Sequence, residues 1–227
     1  MNTGDLYKLF RSEIRDEIEP FLFTQTEVLR YMDEAQLEFC KRGMGIADVR
    51  NTDVVDVPVV AGEEYADIHQ AILTIRTAEL LSSRMPLRIW NNLETLTSTV
   101  GYGSQSVPST VYAHAPGPLH GMVIGEEENV VRWVNIPTAN DTVRLSVYRL
   151  PIEPITGLVQ DFEIRTEHHF TLLYWMKHLA FSKQDADTFD PKGAATAGDT
   201  FLARCEDARL AWERYKHKPR TIKYGGL

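Results

Sequence analysis

Three histidines, a run of acids and a glycine pair are the residues here whose types could do chemistry. His168, His169 and His178 would be metal ligands if one helical face carried them. Their spacing does not supply that face: His169 and His178 are nine residues apart, about 180° out of phase on a helix, and no HExxH arrangement exists. Asp185, Asp187 and Asp190 open like a calcium loop, which needs glycine at its sixth position and glutamate at its twelfth. Asp190 and Thr196 stand there instead, so the run reads as an acidic helix-to-helix turn. Gly101, Tyr102 and Gly103 lead into a polar, proline-containing loop and lack the helix N-terminus that cradles a phosphate. Cys40 and Cys205 have no nucleophile motif around them, and no GxSxG elbow or paired-carboxylate signature occurs. The expectation is a non-enzymatic protein with no cofactor, no metal and no catalytic residue.

The bulk numbers agree with a folded, water-exposed chain. Its 227 residues can bury a proper core, and 43% hydrophobic with 25% charged residues are globular averages. No run approaches the eighteen or so apolar residues of a membrane span, and the first seventeen residues lack a signal-peptide layout, which points to synthesis in a cytoplasm. A net charge of −8 argues against a protein that grips nucleic acid, because phosphate neutralisation needs a surplus of Lys and Arg. The charge is uneven: Arg214, Lys216, Lys218, Arg220 and Lys223 crowd the last fourteen residues.

The elements that position these residues follow from periodicity. Leu6, Phe10, Ile14 and Ile18 recur every four residues, predicting a first helix after Thr3 that Pro20 closes. Thr24 and Glu27 form a capping box, with Phe23 placed to staple onto Val28. The helix behind them carries Val28, Met32, Ala35 and Phe39 on one stripe, Leu29, Gln36 and Cys40 beside it, and Gly43 at its stop. Past Arg50 the period falls to two. Residues 53–60 are β-rich, with Pro58 placing the strand at an edge or truncating it. Residues 67–81 suit helix and strand equally, and 101–121 read as turn-rich loop. Residues 129–136 and 141–148 alternate as strands, with Val143, Leu145 and Val147 on the inner face and residues 137–140 joining the two as a hairpin.

Helix returns near Thr166 and runs through Phe170, Leu173, Met176, Lys177 and Ala180 to Phe181 and Lys183. Asp190 followed by Pro191 caps and restarts a last helix. That helix carries Phe201, Cys205, Ala208, Trp212 and Tyr215 at spacings of four and three, a narrow packing seam. Gly193 and Gly198 each weaken it by roughly 1 kcal/mol unless close packing compensates. Tyr174, Trp175, Trp212 and Tyr215 share their helices with aliphatic stripes, so core packing is the default for most and an interface the alternative. The two cysteines fall in helical segments and read as buried free thiols.

The fold class is therefore α+β: an antiparallel helical bundle from residues 1–50 and 160–215, a β-rich insertion over 51–159, and a basic arm over 216–227.

Several stretches carry a resemblance. Residues 162–170, the segment 180–191 with its turn at Lys183 to Asp190, and the helix holding Phe201 resemble head-to-tail adaptor proteins of tailed phages, also called connector or head-completion proteins. Residues 23–36 look like that family's second helix, and 59–65 like the start of its β region. Tyr65 to His69 depart from it, standing where relatives often carry Leu-Pro. The resemblance implies a virion structural protein at the head-tail junction, forming a ring of twelve copies below the portal protein. It further implies a tail tube, nozzle or tail-hub partner beneath, and a lumen through which DNA passes without sequence-specific binding. Arg214, Lys216, Lys218, Arg220, Lys223 and Tyr224 are the expected arm contacting portal or a neighbouring subunit. A tail-completion or tail-terminator ring is the alternative, and a small phage hydrolase or metal enzyme the third.

Overall fold

The computed structural model describes residues 1–91, 115–184 and 188–216. They form a mixed α+β structure with five α-helices and a curled β-sheet, divided into two compact units: Met1–Ile46 with Pro151–Leu227, and Ala47–Leu150.

In the first unit, α1 (Thr3–Ile14) starts at a reciprocal cap that the periodicity did not reveal: the Asn2 side chain accepts from Asp5 N–H at 2.9 Å, and the Asp5 carboxylate accepts from Asn2 N–H at 3.1 Å. Leu6 and Phe10 are buried as the spacing predicts. The helix stops earlier than Pro20. Arg15 turns left-handed (φ 59°), and Asp16 folds under the helix end to accept from Arg11, which leaves Ile18 outside it and 84% exposed. A four-residue spacing cannot anticipate that an ion pair will end the helix one turn early.

Helix α2 (Gln25–Arg42) forms as the capping box requires: Thr24 Oγ1 accepts from Glu27 N–H at 3.3 Å, and Glu27 accepts from Thr24 N–H at 2.9 Å. All seven residues of its expected stripes are buried, and Gly43 caps it by donating to the Phe39 carbonyl at 2.8 Å. A 3₁₀ turn over Thr166–His168 opens α4 (His169–Ser182), and α5 spans Pro191–Lys216. Asp190 caps α5, its Oδ1 accepting from Gly193 N–H at 2.9 Å. Helices α4 and α5 pack along each other, and α4 also packs on α1 and α2. Phe170, placed by its spacing among the buried positions, is 62% exposed; the inner face belongs to Leu172, Leu173, Trp175, Met176 and Ala180.

The second unit begins with β1 (Ile46–Asp48) and a single helical turn, α3 (Thr52–Val55), capped by Asn51. Residues 53–55, read as strand, are thus helical, because Asn51 accepts from Asp53 N–H and turns the chain. The strand starts at Asp56: among the described residues β2 (Asp56–Val59) pairs with β10 alone, which suits Pro58 at an edge. Then follow β3 (Tyr65–Asp67), β4 (Ile72–Leu80), β5 (Pro86–Trp90), β6 (Pro116–Gly117), β7 (Gly121–Ile124), β8 (Val130–Val134), β9 (Ile136–Pro137) and β10 (Asp141–Arg149). Within the ambiguous stretch 67–81, Asp67 ends β3 and Ile72–Leu80 is the nine-residue strand β4. Of the expected loop over 101–121, residues 101–114 lie outside the described part, while Pro116–Gly117 is a short strand parallel to β9.

The sheet order is β1-β10-β4-β5-β7-β8-β3, with β2 also on β10. This overturns the hairpin expected through residues 137–140. Strand β8 has both edges taken, by β7 and β3, and β10 pairs with β4 on one side and with β1 and β2 on the other. Strand β8 instead forms a hairpin with β7, whose turn uses the positive φ of Gly125 (83°) and Asn129 (59°). The alternation of β10 is as read, with Val143, Leu145 and Val147 at most 1% exposed, whereas β8 does not alternate: Val131, Arg132, Trp133 and Val134 are all buried. The three β10 residues join Val55, Val57, Ala78, Met122, Val131 and Trp133 in one core. Ion pairs pin the strands, Arg144 to Asp56 by two bonds of 2.7 Å and Arg149 to Asp48 at 2.7 Å.

Candidate assembly surface

Helix α5 presents two unlike faces. Inward, Ala194, Ala197, Phe201, Cys205 and Ala208 are buried. The seam then runs out: Trp212 is half-buried with the Arg165 guanidinium 5.3 Å from its ring centroid, and Tyr215 stacks on Trp212 at 5.2 Å yet is 77% exposed. Tyr215 is therefore not a core residue, and Trp175 is; Tyr174 lies between, lining a groove of about 400 Å³ with Lys177, Lys192 and Thr200. Outward, Arg209 bridges Glu206 and Glu213 at 2.6 Å each, and the hydrogen bond to Glu206 raises its affinity for the proton further.

Close packing does compensate the glycines. A methyl group on Gly193 would overlap the Asp190 carboxylate, and one on Gly198 would sit 3.1 Å from His178 Nδ1.

The other end of α5 carries a feature that motif reading missed. Ile14, Leu22, Phe23, Phe181, Thr188, Phe189 and Asp190 line a cavity of about 190 Å³. Of the lining residues Leu22 and Phe189 are exposed, and Ile18 and Phe21 are exposed on the α1–α2 connection. The backbone there is held from below: Arg11 donates to Asp16, to the Tyr7 hydroxyl and to the Phe23 carbonyl at 2.8 Å, while Asp16 accepts from Leu22 N–H at 2.8 Å. The signal for this patch was Phe21-Leu22 directly after Pro20, two apolar residues beside the staple residue Phe23 that no helical stripe could use.

The histidines are occupied structurally. Nε2 of His169 donates to the Ile164 carbonyl at 3.1 Å and Nδ1 of His178 to the Ala194 carbonyl at 2.9 Å. His168 stacks on Phe39 at 4.9 Å, and burial lowers its pKa. Asp190 serves as the helix cap; Asp185 and Asp187, like Gly101, Tyr102 and Gly103, lie outside the described residues. Both cysteines are buried free thiols, and burial pushes the Cys205 thiol up to about 12. Among the described residues no group of three or more His, Cys, Asp or Glu could hold a metal, and no helix is long and apolar enough to cross a membrane.

Of the basic arm, Arg214 is exposed on the last turn of α5 and Lys216 ends that helix. Lys218, Arg220, Lys223 and Tyr224 lie outside the described residues. The structure thus shows where the arm starts and which exposed ring, Tyr215, stands at its root.

Compared with known proteins, residues 1–216 match the family model described as SU10 adaptor protein. No curated protein matches the chain.

Proposed function

Because the chain belongs to the SU10 adaptor protein family, a family of phage head-to-tail adaptors, we propose that it forms a ring of twelve copies between portal and tail, continuing the DNA channel. The match over residues 1–216 carries this reading, since it spans both the helical and the β-rich unit. As an adaptor the chain is a structural component of the virion, sited at the head-tail junction and acting through its surfaces.

The physical features suit that role. An antiparallel helical bundle carrying the β-rich part as an insertion, the arrangement proposed here, offers two different side faces, and heterologous contacts of that kind close into rings. A chain of net charge −8 lining a channel lets DNA slide without sticking. The arm from Arg214 through Lys216, Lys218, Arg220, Lys223 and Tyr224 reaches the portal or a neighbouring subunit.

Mass photometry of the protein mixed with the portal ring of the same genome tests the reading. Twelve copies of a 25.8 kDa chain add about 310 kDa per ring. No gain at saturating excess of folded protein would move the assignment to a tail-side ring. Deleting residues 216–227 should abolish or weaken attachment, and unchanged attachment would refute the arm's role.

A further inference from the structure

We propose that the apolar patch at the α1–α2 connection is the receptor for the C-terminal segment, residues 217–227, of a neighbouring copy of this chain; the inference rests on the ring-forming adaptor reading above. Three observations point to that occupant.

The first is surface character. Leu22 and Phe189 are exposed and line the 190 Å³ cavity together with Asp190, and Glu17, Ile18 and Glu19, all exposed, lie on the connection between its lining residues Ile14 and Leu22. An apolar hollow lined by Asp190, on a connection that carries Glu17 and Glu19, is complementary to a segment that combines bases with Ile222, Tyr224 and Leu227. The second is global charge. The whole chain carries −8 and residues 217–227 carry +3, so everything before them carries −11. The segment is attracted to the body of its own kind of subunit.

The third is reach, and it decides between self and neighbour. Phe189 and Asp190 stand immediately before α5, whereas the segment leaves from its far end, 26 residues later. A straight helix of that length spans about 39 Å. Ile222 and Tyr224 lie six and eight residues beyond Lys216, at most roughly 22 and 29 Å in full extension. They cannot return to the hollow of their own chain. A neighbour placed head-to-tail brings its hollow to them, and repeating the contact is the heterologous arrangement that closes a ring.

A benzophenone-bearing residue in place of Tyr224 in the full-length protein tests this. Copies labelled with ¹⁵N and unlabelled copies are mixed one to one, irradiated alone and on the portal ring, and the cross-linked peptides identified by mass. The expected product joins residue 224 to peptides containing Leu22 or Phe189, with half the adducts carrying mixed isotopes. Ile18→Asp, at an exposed position with folding checked by circular dichroism, should reduce that product at least tenfold. Cross-links confined to portal, or of unmixed isotope only, overturn the proposal even where the ring forms. Absence of any mass gain on portal overturns the adaptor reading instead, and the cross-link between free copies then still reports on the contact.

Discussion

At the scale of single residues, the ion pair of Arg11 and Asp16 shows how burial changes the worth of a charge. Both side chains are at most 6% exposed, and Asp16 also accepts from the backbone of Leu22 and Phe23. Arg11→Ala leaves a buried carboxylate without its cation and should cost about 3–5 kcal/mol, read as a drop in urea midpoint. Lys41→Ala, which removes an exposed partner of Glu38, should cost under about 1 kcal/mol in the same assay. Glu27 supplies a pH test. The hydrogen bond from Lys183, joined by that from Thr24 N–H, lowers its pKa from 4.5 to about 2. A carboxylate depressed in the folded state stabilises fully above about 4.5, and that contribution is lost as pH falls towards 2. Screening by solvent limits it to about 1 kcal/mol. Denaturation midpoints between pH 6 and 2 should therefore fall less steeply in Glu27→Gln than in the parent; equal slopes would remove Glu27 from the account.

At the scale of elements, the glycines reverse a general rule. Glycine to alanine inside a helix usually stabilises by about 1 kcal/mol. At Gly198 the new methyl would press 3.1 Å from the His178 ring, which its bond to Ala194 and its contact with Trp175 hold still. Gly198→Ala should lower the thermal midpoint, and a rise would show that the α4–α5 contact yields. In the sheet, Gly121 faces the Trp90 ring and the Arg88 carbonyl so closely that any Cβ would overlap both. Gly121→Ala should break the parallel β5–β7 pairing and cost more than about 2 kcal/mol by chemical denaturation. Element types were largely legible beforehand because they rest on local periodicity and caps, as with Thr24–Glu27 and Asp190–Pro191. Ends and partners were less so: α1 stops where Asp16 folds back, and β10 pairs with β4, 63 or more residues upstream at every register position.

At the scale of the whole molecule, the core of the β-rich unit is drawn from residues 54–147 alone, so it has its own apolar interior. A fragment of residues 47–150 should unfold in one cooperative thermal transition; a broad, non-cooperative melt would show that it depends on the helices. The interaction surface was half legible. The basic arm is a compositional fact, visible in charge order along the chain. The hollow near Leu22 and Phe189 was not, because its walls come from segments more than 150 residues apart, and only packing brings them together. The sequence by itself determined the α+β class, the two capping signals, the alternation of β10 and the family resemblance, since each is written in neighbouring residues. Tertiary structure alone decided that β8 and β10 lie apart in the sheet, that Ile18 and Tyr215 face solvent, and that an apolar hollow opens at the α5 N-terminus. Those outcomes depend on which distant groups compete for the same strand edge or buried volume, a contest that no local pattern records.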